Sequence, residues 1–167
     1  MFICIWSPGW GTKLERCAAA VLQVVPRVAV DVARGQVWAD GKSLETPQLC
    51  RKITTTIGQI DAINATMGAS LIPVAAEIAA REAKDNSPVI VPDGAEREFI
   101  ARHSIGALDP SPPLMNLFDG TGIETCRDLA VLEQESVEVR FGAEGVHLWR
   151  RARADDKRLI FAAMPRS

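Results

Sequence analysis

The run Asp119-Gly-Thr-Gly-Ile-Glu-Thr-Cys-Arg-Asp-Leu129 is the stretch of this 167-residue chain whose residue types and spacing are best suited to chemistry. An apolar helix end is followed by a tight Gly-x-Gly turn and then a second helix. Glycines at 120 and 122 carry no side chain to hold a ligand off, so backbone around Gly120, Thr121, Gly122, Ile123 and Thr125 comes close to a phosphate, and the next helix adds the positive end of its dipole. This is the mechanism of a helix-hairpin-helix, which grips a DNA backbone without reading bases. A helical hairpin that binds nothing uses the same turn, and spacing alone does not separate the two.

Basic residues gather beside and after this run. Arg127 lies in the second helix of the hairpin. From Arg140 to Arg158 six basic residues, including Arg150, Arg151 and Arg153, face three acidic ones, Glu144, Asp155 and Asp156. That local excess of three positive charges stands out in a chain whose net charge is -2. It fits phosphate contacts beside the hairpin, or a solvated helix face. Trp149, at helical spacing from Val146, reads as a core anchor rather than a platform for bases.

Other chemistries lack their residues. Two-metal nucleotidyl transfer needs carboxylates that meet around ions about 4 Å apart, whereas Asp31, Asp40 and Asp61 are scattered along strand ends and the first strand holds no acid. His103 and His147 have no nucleophile motif around them, and Cys4, Cys17, Cys50 and Cys126 are dispersed, as buried free thiols are. No catalytic residue, metal ligand or cofactor is nominated. The mild negative charge argues against a protein coated in nucleic acid but leaves room for a local basic patch, the longest apolar runs fall short of a membrane span, and the N-terminus has no basic stretch ahead of a signal-like core, so a cytoplasmic protein is expected.

The elements that must position these residues are legible. Phe2 to Trp6 reads as a buried strand, and a helix follows with Thr12 and Glu15 as a capping box. Val28 to Val32 and Gln36 to Ala39 form a hairpin around Ala33-Arg34-Gly35. A helix capped by Thr46 precedes a strand over Ile60 to Met67, an alanine-rich helix over Pro73 to Lys84 and a strand over Pro88 to Val91. The order βαββαβ plus αβ predicts an α+β, ferredoxin-like unit over 1–92. An all-α unit over 93–154 is expected next, opening on an Asp93/Glu96 capping box and holding helices at about 112–119, 124–132, 134–141 and 143–154, with Gly142 as a cap. The tail 155–167 has little pattern.

GTGIETCRDLAVL with VEVRFGAEGVHLWRRARADD resembles the thumb of Y-family DNA polymerases, closest to the catalytically inactive ImuB type of the bacterial mutasome. ASLIPVAAEIAAREAKDNSPVIVPDGAEREFIARHSIGAL resembles the end of the palm in that family, PRVAVDVARGQVWADG its palm hairpin and FICIWSPGW its first palm strand. Active members carry an acidic metal ligand in the first strand, where this chain has Ile3, Cys4 and Ile5. They also carry an Asp-Glu pair in the hairpin, where it has about Ala33-Arg34-Gly35-Gln36. The segment between strand and hairpin is too short for the fingers of that family, and the little finger expected after the thumb is not among these 167 residues. The resemblance implies a reduced palm with a DNA-touching thumb, working in translesion synthesis, DNA repair and the SOS response near the nucleoid. It implies DNA backbone, a RecA-like mutasome protein and a replicative-type polymerase as partners. Leu114-Met-Asn-Leu-Phe118 has the outline of a sliding-clamp peptide without its leading glutamine, and its spacing fits a core helix. A scaffold that docks a protein partner and binds no DNA is the competing reading, and a small-molecule sensor a third.

Overall fold

The computed structural model describes residues 1–41, 45–59, 64–84 and 87–161. The chain divides into two compact units: Met1–Val91 joined by the segment from Lys157 onward, and Pro92–Asp156.

In the first unit β1 (Phe2–Trp6), α1 (Leu14–Val21), β2 (Val28–Asp31), β3 (Gln36–Asp40), α2 (Thr46–Gly58), β4 (Thr66–Ser70), α3 (Pro73–Glu82) and β5 (Val89–Ile90) follow one another. The sheet order is β2-β3-β1-β4-β5, antiparallel except for the β4–β5 pair. Its first four strands are those of the ferredoxin-like sandwich, and α3 with β5 is the added αβ step. The fold is the α+β architecture expected.

Strand β1 is apolar throughout because both of its faces are covered. Ile3 and Ile5 join Val37, Ala39, Leu14, Cys17, Leu49 and Ile53 in the core between the sheet and α1 and α2. Cys4 and Trp38 face the other way, toward Ala76 and Ala80 of α3. There α3 lies directly on β4. A Cβ added at Gly68 would stand 2.2 Å from the Ala80 amide nitrogen and 2.4 Å from the Ala76 carbonyl oxygen. Glycine in the strand and alanines on the helix are what this approach requires.

Several expectations are corrected. The strand expected over Ile60 to Met67 runs from Thr66 to Ser70, and residues 60–63, Asp61 among them, lie outside the described residues. Thr12 does not cap α1: it lies in a 3-10 turn, Gly11–Lys13, and the N-cap is Lys13. Glu45 precedes α2 as its N-cap, while the Thr46 hydroxyl reaches the Met1 sulfur at 3.3 Å. The Asp93/Glu96 box is replaced by the Glu96 carboxylate accepting from the Gly94 amide at 2.9 Å. Within the segment expected to be a tail, Phe161 stacks on Phe2 with ring centres 6.1 Å apart and Arg158 binds Glu77, while residues 162–167 lie outside the described residues.

The second unit holds α4 (Glu96–Ala101), α5 (Pro112–Thr121), α6 (Cys126–Ala130) and α7 (Gln134–Ala152). Gly142 breaks α7 with φ 72° and ψ −163°, a conformation open only to glycine, so the two helices expected on either side of it are both present. Phe118 of α5 and Phe141 of α7 meet at 4.9 Å in its core. Among the described residues no helix is long and apolar enough to cross a membrane.

Candidate nucleic-acid interface

The hairpin between α5 and α6 forms as its residues require. Ser111 caps α5, its hydroxyl accepting from the Leu114 amide at 3.4 Å, and Glu144 holds Ser111 in turn, accepting from its amide at 2.8 Å and its hydroxyl at 2.5 Å. Those bonds hold the Glu144 carboxyl below its ordinary range. Helix α5 ends at Gly122, which adopts φ 77°, and the Ile123 amide turns back to the Phe118 carbonyl at 3.0 Å, a Schellman closure. Thr125 then caps α6, its hydroxyl accepting from the Asp128 amide at 3.2 Å. The Asp128 carboxylate accepts from the amides of both Glu124 and Thr125 at 3.0 Å. Those backbone bonds, Thr125 first, hold the Asp128 carboxyl below its ordinary range.

The expected phosphate-facing residues therefore occupy different settings. Gly120, Thr121 and Gly122 are exposed at the turn, whereas Ile123 is buried. The amides from Gly122 to Thr125 already have acceptors within the hairpin, and Asp128 places a carboxylate where the helix dipole was to attract an anion. The sequence signal for this was present in Thr125-x-x-Asp128, the spacing of a capping box.

The arginines separate as well. Arg150 is exposed on the last turn of α7, and Arg151 is half-buried. Arg153 donates to the Ala130 carbonyl at 2.7 Å and lies over the Trp149 ring at 4.7 Å. Trp149 donates its indole N–H to the Leu132 carbonyl at 2.9 Å, the anchoring role its spacing predicted. Arg127 pairs with Glu98. Arg127 and Arg153 line one cavity of about 490 Å³ together with Arg97 of α4. Sequence reasoning missed Arg97 because the cavity joins three helices distant along the chain.

In the first unit a cleft of about 350 Å³ lies where the end of β1 meets the β2–β3 turn, with Trp6, Ser7, Trp10, Ala33, Arg34 and Gly35 in its wall. No carboxylate lines it among the described residues. The scattered acids have structural tasks: Asp31 accepts from the Arg34 amide at 3.2 Å, and Asp40 pairs with Arg27 at 2.7 Å. Beside the cleft an unexpected cluster forms around Glu77 of α3. This carboxylate, 3% exposed, receives Arg34 at 2.9 Å, Gln36 at 2.8 Å and the Arg158 guanidinium. Arg81 reaches the Gln36 side-chain oxygen at 3.2 Å. Burial alone would raise the Glu77 pKa, but Arg158, Arg34 and Gln36 outweigh it and hold the group ionised below its ordinary range.

The four cysteines are buried free thiols, and burial pushes Cys17 and Cys126 up to about 12 and Cys50 to about 11. Among the described residues no three His, Cys, Asp or Glu side chains cluster to hold a metal ion.

No family model matches the chain. Solved structures do. A DinB family error-prone DNA polymerase from Sulfolobus solfataricus superposes with a TM-score of 0.75 at 18% identity, covering 92% of this chain and 48% of that one. An insertion ternary complex of Dbh DNA polymerase gives 0.75 at 19% identity, covering 92% and 46%. The chain thus spans about half the length of these polymerases, and over that span its fold is that of a Y-family DNA polymerase.

Proposed function

We propose that this chain is a non-catalytic accessory protein of the ImuB type, acting in the cytoplasm at the nucleoid in DNA repair by translesion synthesis and binding DNA backbone without sequence preference. The observation that carries the reading is the Glu77 cluster. The hairpin segment of about Ala33 to Gln36, where the resemblance places an adjacent Asp-Glu pair, holds no acid, and its Arg34 and Gln36 are turned onto Glu77. A guanidinium repels a divalent ion, and a carboxylate already held by Arg34, Arg158 and Gln36 has little charge left to offer one. DNA contact is assigned to the second unit, through the exposed face of the turn at Gly120, Thr121 and Gly122 and above all through Arg127, Arg150, Arg151 and Arg153. Primer extension in Mg²⁺ or Mn²⁺ should yield no product, and any extension lost on mutating a carboxylate of this chain would overturn the non-catalytic assignment. Anisotropy titration of primer-template, duplex and single-stranded DNA should show binding that weakens with salt. The change of Arg150, Arg151 and Arg153 together to alanine should weaken it further.

A second reading has its own support. The second unit carries seven arginines against thirteen carboxylates, a net charge of −6, and the first unit twelve basic against eight acidic residues, a net of +4. An acidic unit suits a protein partner better than a polyanion. This reading makes the chain a scaffold that docks a RecA-like or polymerase partner, and it predicts no DNA affinity at moderate salt beside a stable complex with such a protein.

A further inference from the structure

We propose that the cavity between α4, α6 and the end of α7 binds the terminal phosphate of a nucleotide, carried at the end of a DNA strand or on a free nucleotide. Three arginines, Arg97, Arg127 and Arg153, line it against the single acidic residue Glu98, leaving a local charge of +2. That positive cavity sits in a unit whose net charge is −6. Away from its arginines such a unit offers a backbone little attraction, whereas one group entering the cavity meets three arginines against the one carboxylate of Glu98. A phosphate monoester, with a charge of about −1.5 to −2, matches the cavity better than a diester phosphate with one.

Two of the guanidiniums are already positioned. Arg153 is fixed between the Ala130 carbonyl and the Trp149 ring. Arg127 is held by Glu98 in a pair whose side chains are 52% and 72% exposed. An exposed pair of this kind contributes little and is readily exchanged, so an entering phosphate takes the place of Glu98 on Arg127, with Arg97 closing from α4. The small apolar side chains of Ala101, Val131 and Ala152 offer a wall for the sugar or base behind the phosphate. The site depends on the DNA-binding reading only for the source of the phosphate.

The experiment is a binding titration of the full chain with a 5′-phosphorylated oligonucleotide, the same oligonucleotide ending in a 5′-hydroxyl, and deoxyadenosine monophosphate as competitor. The phosphorylated strand should bind about tenfold more tightly, the effect of a charge-assisted contact. Arg97→Ala should remove that preference while leaving the hydroxyl strand unchanged. Glu98→Gln should widen it, because Arg127 loses its internal competitor; a structural role for Glu98 would narrow it instead. Competition by the mononucleotide identifies free nucleotides as a source, and its failure restricts the site to strand ends. Binding of the mononucleotide without either strand would uphold the cavity and sink the DNA reading. Equal affinity for the two strands with no mononucleotide binding, or a preference that survives Arg97→Ala, would overturn the proposal and leave DNA binding standing.

Discussion

In the first unit the arginines turn inward, Arg34 and Arg158 closing on the buried Glu77, while in the second Arg97, Arg127 and Arg153 stand around an open cavity with Glu98 at its rim. The net charges run the other way, positive in the first unit and negative in the second. A unit's overall charge therefore says little about where its cations are available. In the first unit they pair with a buried carboxylate inside the fold; in the second they line a cavity of an acidic body.

The contrast can be broken by removing one carboxylate from each place. Glu77→Leu leaves several guanidiniums without their counterion in a buried setting and should cost about 3–5 kcal/mol, read as a fall in the urea midpoint. The same group sets a pH dependence. Its folded pKa lies below its unfolded value, so its contribution is complete above the ordinary carboxylate range and is lost as pH falls through the folded pKa. Glu77→Gln should flatten the acid limb of the stability profile, and an unchanged limb would show that the cluster is not what holds the unit at low pH. Gly68→Ala should cost about 3 kcal/mol, since the added carbon meets helix backbone that no rotamer change can move aside; a change within error would mean that α3 is free to lift from β4. The smallest effect is expected at the rim of the cavity, where Glu98→Gln should alter stability by no more than about 0.5 kcal/mol. A larger loss would erase the distinction between structural and available arginines.

The architecture was legible where one physical cause acts locally. The FICIW run read as a buried strand, Gly142 as a cap between two helices, and the alanine-rich stretch as the helix that became α3, although its close approach to β4 was not foreseen. Capping was read less well. Thr12 and Glu15 have the spacing of a box, but a 3-10 turn takes up Thr12, and Glu96 spends its carboxylate on Gly94. Thr125 and Asp128 do form the box, and so occupy the amides that the glycine spacing assigned to phosphate. Glu77 escaped notice because its partners Gln36 and Arg158 lie 41 and 81 residues away. Its one local trace is a lone acid inside the apolar run VAAEIAA. The cavity was illegible for the same reason, since only tertiary packing brings α4 to α6 and α7.

The return of the chain to the sheet at Lys157 makes the second unit an insertion. It leaves after Val91, whose amide bonds to the Ala69 carbonyl at 2.8 Å, and comes back where Arg158 reaches Glu77 and Phe161 reaches Phe2. Everything from 92 to 156 is thus a loop stapled at both feet without a covalent bond. Such a staple removes chain entropy as a cross-link does, but it is non-covalent, and its Arg158 contact rests on the charge of Glu77.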